Sequence, residues 1–173
     1  MEHHLIDDTN PNLLVRPAII DDTPAIAELS TIDLSLSEEA LDAAQTIVAE
    51  RLAVESGDDY FTIVAEDRSN GEIVGWLAGG GSRGQALKGW GELYALSTQM
   101  DDDSTLVDEA LLAVAVNALR LAQFTGVTTW VDSEDSIRCE LFADLGFSTE
   151  LLEADGEPDT PAHFVRYSLA FNH

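Results

Sequence analysis

Gly91–Ser97 reads GELYALS, Asp101–Gln123 reads DDDSTLVDEALLAVAVNALRLAQ, and Val127–Val131 reads VTTWV. The first piece has strand character. The second places Leu106, Ala110, Val114, Ala118 and Leu121 on one apolar stripe at helical spacing. The third is a short β-branched and aromatic run, so the period switches from about 2 to about 3.6 and back. A helix between two strands is the connection that lets them run parallel. The helix is expected over about Leu106 to Gln123, introduced by Asp101–Ser104 and ended at Gly126. Val127–Val131 is expected parallel to Gly91–Ser97 in a mixed sheet.

Upstream, Leu13–Pro17 reads as a short strand. Asp21-Asp22-Thr23-Pro24 opens a helix, with Asp22 or Thr23 as N-cap and Ile26 and Leu29 on its apolar side. Ser37-Glu38-Glu39 opens a second helix carrying Leu41, Ala44, Ile47, Val48 and Leu52, stopped at Gly57. Tyr60–Ala65 and Glu72–Leu77 form a hairpin about the turn Ser69-Asn70-Gly71. Gly79–Gly91 reads as a flexible loop, mildly basic through Arg83 and Lys88, without the Gly-Lys-Ser/Thr ending of a nucleotide-binding loop. Downstream, Ser136–Leu145 is a short helix stopped by Gly146. Phe147–Leu152 and Phe164–Phe171 are the last strands, around an acidic loop. The order is β-α-α-β-β-β-α-β-α-β-β, an α/β (α+β) mixed sheet flanked by helices. Residues 1–12 are expected to be a flexible acidic tail and residues 13–173 a single domain.

The chain has 173 residues, and its 33 acidic residues against 8 basic ones give a net charge of −25. Such a field repels phosphates and argues against nucleic acid. Solvation in a salty cytoplasm and plain solubility are two readings of the charge. Attraction of a cationic substrate, such as a polyamine or a basic protein, is a third. No run of about 18 apolar residues predicts a membrane span. Met1–Pro11 lacks the features of a signal peptide, so a cytoplasmic location is expected. The single cysteine, Cys139, reads as a structural thiol rather than a nucleophile. His3 and His4 stand near Asp7 and Asp8, but no metal is expected. Trp76, Trp90 and Trp130 read as core or pocket residues, Trp90 being the one set beside glycines to touch a ligand.

Taken together, several segments resemble the GNAT superfamily of acyl-CoA-dependent N-acetyltransferases. Val15–Asp22 is similar to that family's first strand and helix start. Gly91–Ser97 is similar to its fourth strand, Glu109-Ala-Leu-Leu112 to its pyrophosphate helix, and Leu145-Gly-Phe147 to its Leu-Gly-Phe. The resemblance implies acetyl-CoA as co-substrate and a primary amine as acceptor, either a small, possibly cationic molecule or a protein. It leaves a homodimer open. It places cofactor contacts at Leu96, Ser97, Thr98, Ser104, Thr105, Leu106, Val107, Asp108 and Asp135. It makes Glu92 the candidate general base, acting through water, with Tyr94 a weaker catalytic candidate.

The sequence departs from the family where the diphosphate should bind. Leu106 and Asp108 stand at the two glycine positions and Asp103 at the basic or amide position. Acids near a helix N-terminus stabilise it by about 0.3–1 kcal/mol each. They also compete with a phosphate, and a carboxylate about 4 Å from a phosphate charge costs on the order of 4 kcal/mol near a surface. Weak acetyl-CoA binding at low salt is therefore expected. Phe142 occupies the family's usual general-acid Tyr position and Asp135 a position where Asn is frequent. Two readings follow, an N-acetyltransferase with an atypical pyrophosphate loop, or a catalytically silent domain of the same fold that binds a ligand or a protein.

Overall fold

The computed structural model describes residues 11–31, 37–54, 60–83, 87–99, 101, 103–149 and 163–172. Among the described residues six strands form one sheet in the spatial order of the chain: β1 (Leu13–Pro17), β2 (Tyr60–Asp67), β3 (Ile73–Gly81), β4 (Gly91–Thr98), β5 (Gly126–Asp132) and β6 (Phe164–Ala170). Neighbours pair antiparallel except β4 and β5, which are parallel. Among the described residues four α-helices flank the sheet: α1 (Thr23–Ser30), α2 (Glu38–Val54), α3 (Ser104–Leu121) and α4 (Ser136–Asp144).

Strand alternation divides the apolar residues between two faces. Val15, Ile63, Leu77, Leu93 and Val127 pack against Leu111, Leu112 and Ala115 of α3, and α4 adds Leu141 and Phe142 to this core. On the other face Val64, Trp76 and Ala78 meet Ile26 and Leu29 of α1, with Val48 and Leu52 of α2 behind them. The start of α1 is held by Arg16, which forks onto Asp22 at 2.8 and 2.9 Å and reaches Glu66 at 2.9 Å. Asp22 therefore does not cap the helix with its side chain; it also accepts the Ile19 N–H at 2.8 Å.

The strand–helix–strand unit and its parallel pairing agree with the sequence reading. Three boundaries differ. Gly79–Gly81 belongs to β3 rather than to a loop, paired with Leu93, Glu92 and Gly91. A Cβ at Gly79 would come 2.9 Å from Phe61 and 3.0 Å from the Glu92 carbonyl, so a glycine there fits a close backbone approach. Helix α3 begins at Ser104, and its end is marked by Gln123 in the left-handed region (φ 67°), while Gly126 already starts β5. Of the Phe147–Leu152 strand, the described part shows one bridge, Ser148 with Ser168; its last three residues, like the tail 1–10, lie outside the described residues. Among the described residues no helix is long and apolar enough to cross a membrane.

Candidate functional site

Strands β4 and β5 pair only at Gly91 with Val127, Glu92 with Thr128 and Leu93 with Thr129. The last pair is clasped by the Thr129 hydroxyl, which donates to the Leu93 carbonyl at 3.3 Å. Beyond it β4 stays on β3 as far as Thr98 and leaves β5. The cause is local. Ala78 faces Ala95 while Gly79 faces Leu93, so Tyr94 is an extra residue on β4. Such a bulge bends its strand and increases its twist. The wedge between the parted strands holds a cavity of about 270 Å³, with Tyr94, Leu96, Trp130, Asp135, Arg138 and Phe142 in its wall. A larger hollow, about 540 Å³, lies between the two N-terminal helices and β3–β4. Ala95, Leu96 and Arg138 belong to both walls, so the two spaces adjoin across β4.

The residues expected to act fall into several places. Tyr94 lines the wedge, and its hydroxyl donates to the Gly81 carbonyl. Burial, then the neighbouring Tyr60 and Glu92, pushes its phenol up to about 12. The Arg83 guanidinium lies 4.2 Å over its ring. Glu92 is in the wall of neither space; its carboxylate takes the Arg83 N–H at 3.1 Å and lies 3.5 Å from the Arg83 guanidinium. Leu96 lines both spaces and Ser97 the larger one, where its hydroxyl donates to the Leu29 carbonyl at 2.7 Å.

Thr98 ends β4, buried beside Asp108. Ser104 and Thr105 form the first turn of α3, half-buried, and the Ser104 N–H donates back to the Asp101 carbonyl at 3.2 Å. Asp101 also accepts the Asp103 N–H at 2.9 Å, and Asp103 makes no side-chain cap. Leu106 is 48% exposed and faces a shallow hollow with Leu13 and Val74, on the β1–β3 side. Val107 is core, its Cγ1 2.7 Å from where a Gly75 Cβ would stand. Helical geometry explains the split, since successive residues on α3 point about 100° apart.

Asp108 alone of that group turns toward α4. It is 5% exposed; one carboxylate oxygen is 3.6 Å from the Arg138 Nε, and the other has no hydrogen-bond partner. Burial pushes its carboxyl above the ordinary range, against the opposing pull of Arg138 and Thr98. Asp135 caps α4 by accepting the Arg138 N–H at 3.0 Å, with its other oxygen 4.0 Å from the same guanidinium. Arg138, which the sequence did not single out, thus joins the two acids. The Asp135–Arg138 spacing of three on a helix start was the available signal.

Phe142 is buried edge-on to Phe147 at 5.1 Å and near Tyr167 at 5.9 Å. Cys139 is part-buried, its thiol 3.5 Å from the Asp132 carbonyl, and its contact with Tyr167 pushes that phenol up. Trp90 covers Gly126, at the end of β4 remote from the wedge; Trp130 is the tryptophan in the wedge wall, under Arg166 at 4.5 Å. The expectation that Trp90 is the ligand-facing tryptophan is corrected accordingly. His3, His4, Asp7 and Asp8 lie outside the described residues.

The fold recurs in solved structures. An acetyltransferase of the GNAT family from Desulfovibrio desulfuricans superimposes with a TM-score of 0.69 at 21% identity, covering 91% of this chain and 98% of that one. The chain has the GNAT fold. Ribosomal-protein-S5-alanine acetyltransferase from Vibrio fischeri matches this GNAT fold with a TM-score of 0.71 at 14% identity, over 93% and 94% of the two chains. PaiA N-acetyltransferase from Thermoplasma acidophilum, solved in complex with coenzyme A, matches with a TM-score of 0.68 at 14% identity, over 92% and 99%. No protein-family model and no curated protein matches this GNAT-fold sequence.

Proposed function

We propose that the protein is an acyl-CoA-dependent N-acetyltransferase with an atypical diphosphate site, acting on a primary amine. The parting of β4 from β5 after Leu93 and Thr129 carries this reading. The wedge holds about 270 Å³. Its β4 edge, from Tyr94 onward, is not paired by β5, so its backbone groups suit the amide-bearing arm of coenzyme A. Asp108 of α3 lies 3.6 Å from Arg138 of the wedge wall, which sets the start of that helix beside the wedge, and a helix N-terminus favours an anion. Asp108 opposes that preference and Arg138 partly offsets it. The arm therefore fits well and the diphosphate poorly at low salt, which the neighbouring acids explain.

Bound there, acetyl-CoA supplies a thioester carbonyl. An amine held in the larger hollow reaches it across Ala95 and Leu96, which both spaces share. Its nitrogen forms the new C–N bond, the C–S bond breaks, and the thiolate leaves. The amine must shed a proton to attack and the leaving thiolate must gain one. Glu92 is the candidate acceptor from the family resemblance, and because its carboxylate stands outside both walls it would act through water. Tyr94, which lines the wedge and keeps its phenol protonated up to about 12, is the candidate proton donor to the thiolate. Thiol release from acetyl-CoA in the presence of primary amines tests the reading at molar salt. Amine-dependent thiol release is expected, and its absence with every amine, from folded protein that binds acetyl-CoA, rejects catalysis.

One observation favours the rival, a catalytically silent binding domain. The Asp108–Arg138–Asp135 cluster stands where the diphosphate would meet the helix, and Phe142 offers no hydroxyl. Under that reading acetyl-CoA does not bind at any salt concentration.

A further inference from the structure

The larger hollow offers a ligand little charge. Among the described residues its wall has no carboxylate. Its two arginines are already engaged. Arg138 is held by Asp108 at 3.6 Å and Asp135 at 4.0 Å, and Arg51 lies 6.0 Å over the Tyr94 ring and has a further partner. Two serines of the wall have spent their single protons. The Ser97 hydroxyl donates to the Leu29 carbonyl and the Ser30 hydroxyl to the Ile26 carbonyl, both at 2.7 Å. Each oxygen keeps its lone pairs, so it can accept a ligand N–H while its own bond stays in place. Ser97 follows Leu96 on β4, next to the stretch where the hollow adjoins the wedge. The rest of the described wall is chiefly apolar, with Ile26, Val48, Leu52 and Trp76 among its residues. A volume of about 540 Å³ lies within the range typical of small-molecule sites.

We infer that the acceptor is a primary monoamine with an apolar body and no second charge, its nitrogen donating to Ser97 Oγ and its body lying against Ile26, Val48, Leu52 and Trp76. This rests on the acetyltransferase reading for the fate of the amine, but not for the binding. A second ammonium would meet no carboxylate in the described wall, and a ligand carboxylate would meet only cations that already have partners. An unpaired charge is costly to bury. For the same reason the amine is held as the free base rather than as the ammonium. One N–H goes to Ser97, and the lone pair stays available to the thioester carbonyl. That nitrogen forms the C–N bond and gives up a proton, the C–S bond breaks, and the thiolate takes a proton as it leaves. The acidic surface then has no part in choosing the substrate, and the preference is set inside the fold.

Three amines of similar length test the tail alone. Hexylamine, 1,6-diaminohexane and 6-aminohexanoate end in a methyl group, an ammonium and a carboxylate. They are titrated by calorimetry without acetyl-CoA, at pH 9 and in molar potassium chloride, which screens the surface acids. Hexylamine is expected to bind the wild type at least about tenfold more tightly than either of the others. Equal or tighter binding of either charged-tail amine, or no binding of hexylamine, overturns the inference. Ile47 lines the hollow and is 65% exposed, so Ile47→Glu adds a carboxylate to the wall without disturbing the core. It should move the ratio at least about threefold toward the diamine; an unmoved ratio means binding elsewhere and overturns the inference. Ser97→Ala should weaken hexylamine by a similar factor, and unchanged affinity in the folded variant overturns the role of Ser97. Should either variant fail to fold, the wild-type ratios decide by themselves. Thiol release from acetyl-CoA is read with the same three amines. Preferred hexylamine binding without thiol release would overturn the catalytic reading and leave the site standing; thiol release with the diamine or 6-aminohexanoate but not hexylamine would do the reverse.

Discussion

Asp108 presents a buried carboxylate with one oxygen near Arg138 and the other unpartnered. Burial raises its pKa from the ordinary 3.8, the larger effect, while Arg138 and Thr98 lower it. Its folded form therefore binds a proton more readily than its unfolded form. The favourable contribution is complete below the ordinary value and is lost as pH rises through the raised one, so at neutral pH the ionised side chain costs stability. Asp108→Asn should melt above the wild type at pH 7, and the gap should close as pH falls toward 4. Thermal melts of both proteins across that range check it; an equal or lower melting temperature for the variant at pH 7 contradicts it. Glu92 yields a second expectation. Glu92→Gln removes the proposed proton acceptor while keeping a partner for the Arg83 N–H, so kcat should fall by about 10²–10⁴-fold, the usual contribution of a general base. The Michaelis constant for acetyl-CoA should hardly move, and an unchanged kcat would remove Glu92 from the mechanism. The sequence showed Asp108 as an anomaly because a carboxylate stood where glycine was expected. It did not show Arg138 as its partner, since thirty positions separate them and only the packing of α4 against α3 brings them together.

At the scale of elements, α3 lies on the sheet through a tight contact. A Cβ on Gly75 would stand 2.7 Å from Val107 and 2.9 Å from Thr98. Gly75→Ala should therefore lift α3 from β3 and destabilise by about 1–3 kcal/mol, the usual range for overpacking. Val107→Ala in the same background should restore part of the loss, although alone it destabilises. Urea unfolding of the two singles and the double measures this coupling; additive losses would mean the helix rides elsewhere. The unit β4–α3–β5 was legible because its apolar period changes twice. The glycines of β3 were not, because glycine carries no strand signal of its own. Their membership depends on backbone pairing with β4, and at Gly79 on room for Phe61. The end of α3 was misplaced for a related reason: the left-handed residue that marks it is Gln123, while the glycine three residues later sits in β5 beneath Trp90. The Tyr94 bulge left no mark in the sequence either, since a one-residue mismatch exists only between two strands.

Across the whole molecule, a net charge of −25 acts on every exposed carboxylate at once. Raising salt from about 0.1 M to about 1 M shortens the screening length from roughly 10 Å to roughly 3 Å. The melting temperature should rise over that interval in potassium chloride, and a flat or falling trend would show that the acids are already well spaced. The same screening bears on the wedge between β4 and β5, where a diphosphate would approach Asp108 near the start of α3. Acetyl-CoA titrated by calorimetry at both salt concentrations, into the wild type and Asp108→Asn, tests the assignment of that wedge most directly. Weak binding to the wild type at low salt, tightened tenfold or more by molar salt or by the substitution, is the predicted result. No binding by the folded Asp108→Asn protein at either salt concentration would contradict it.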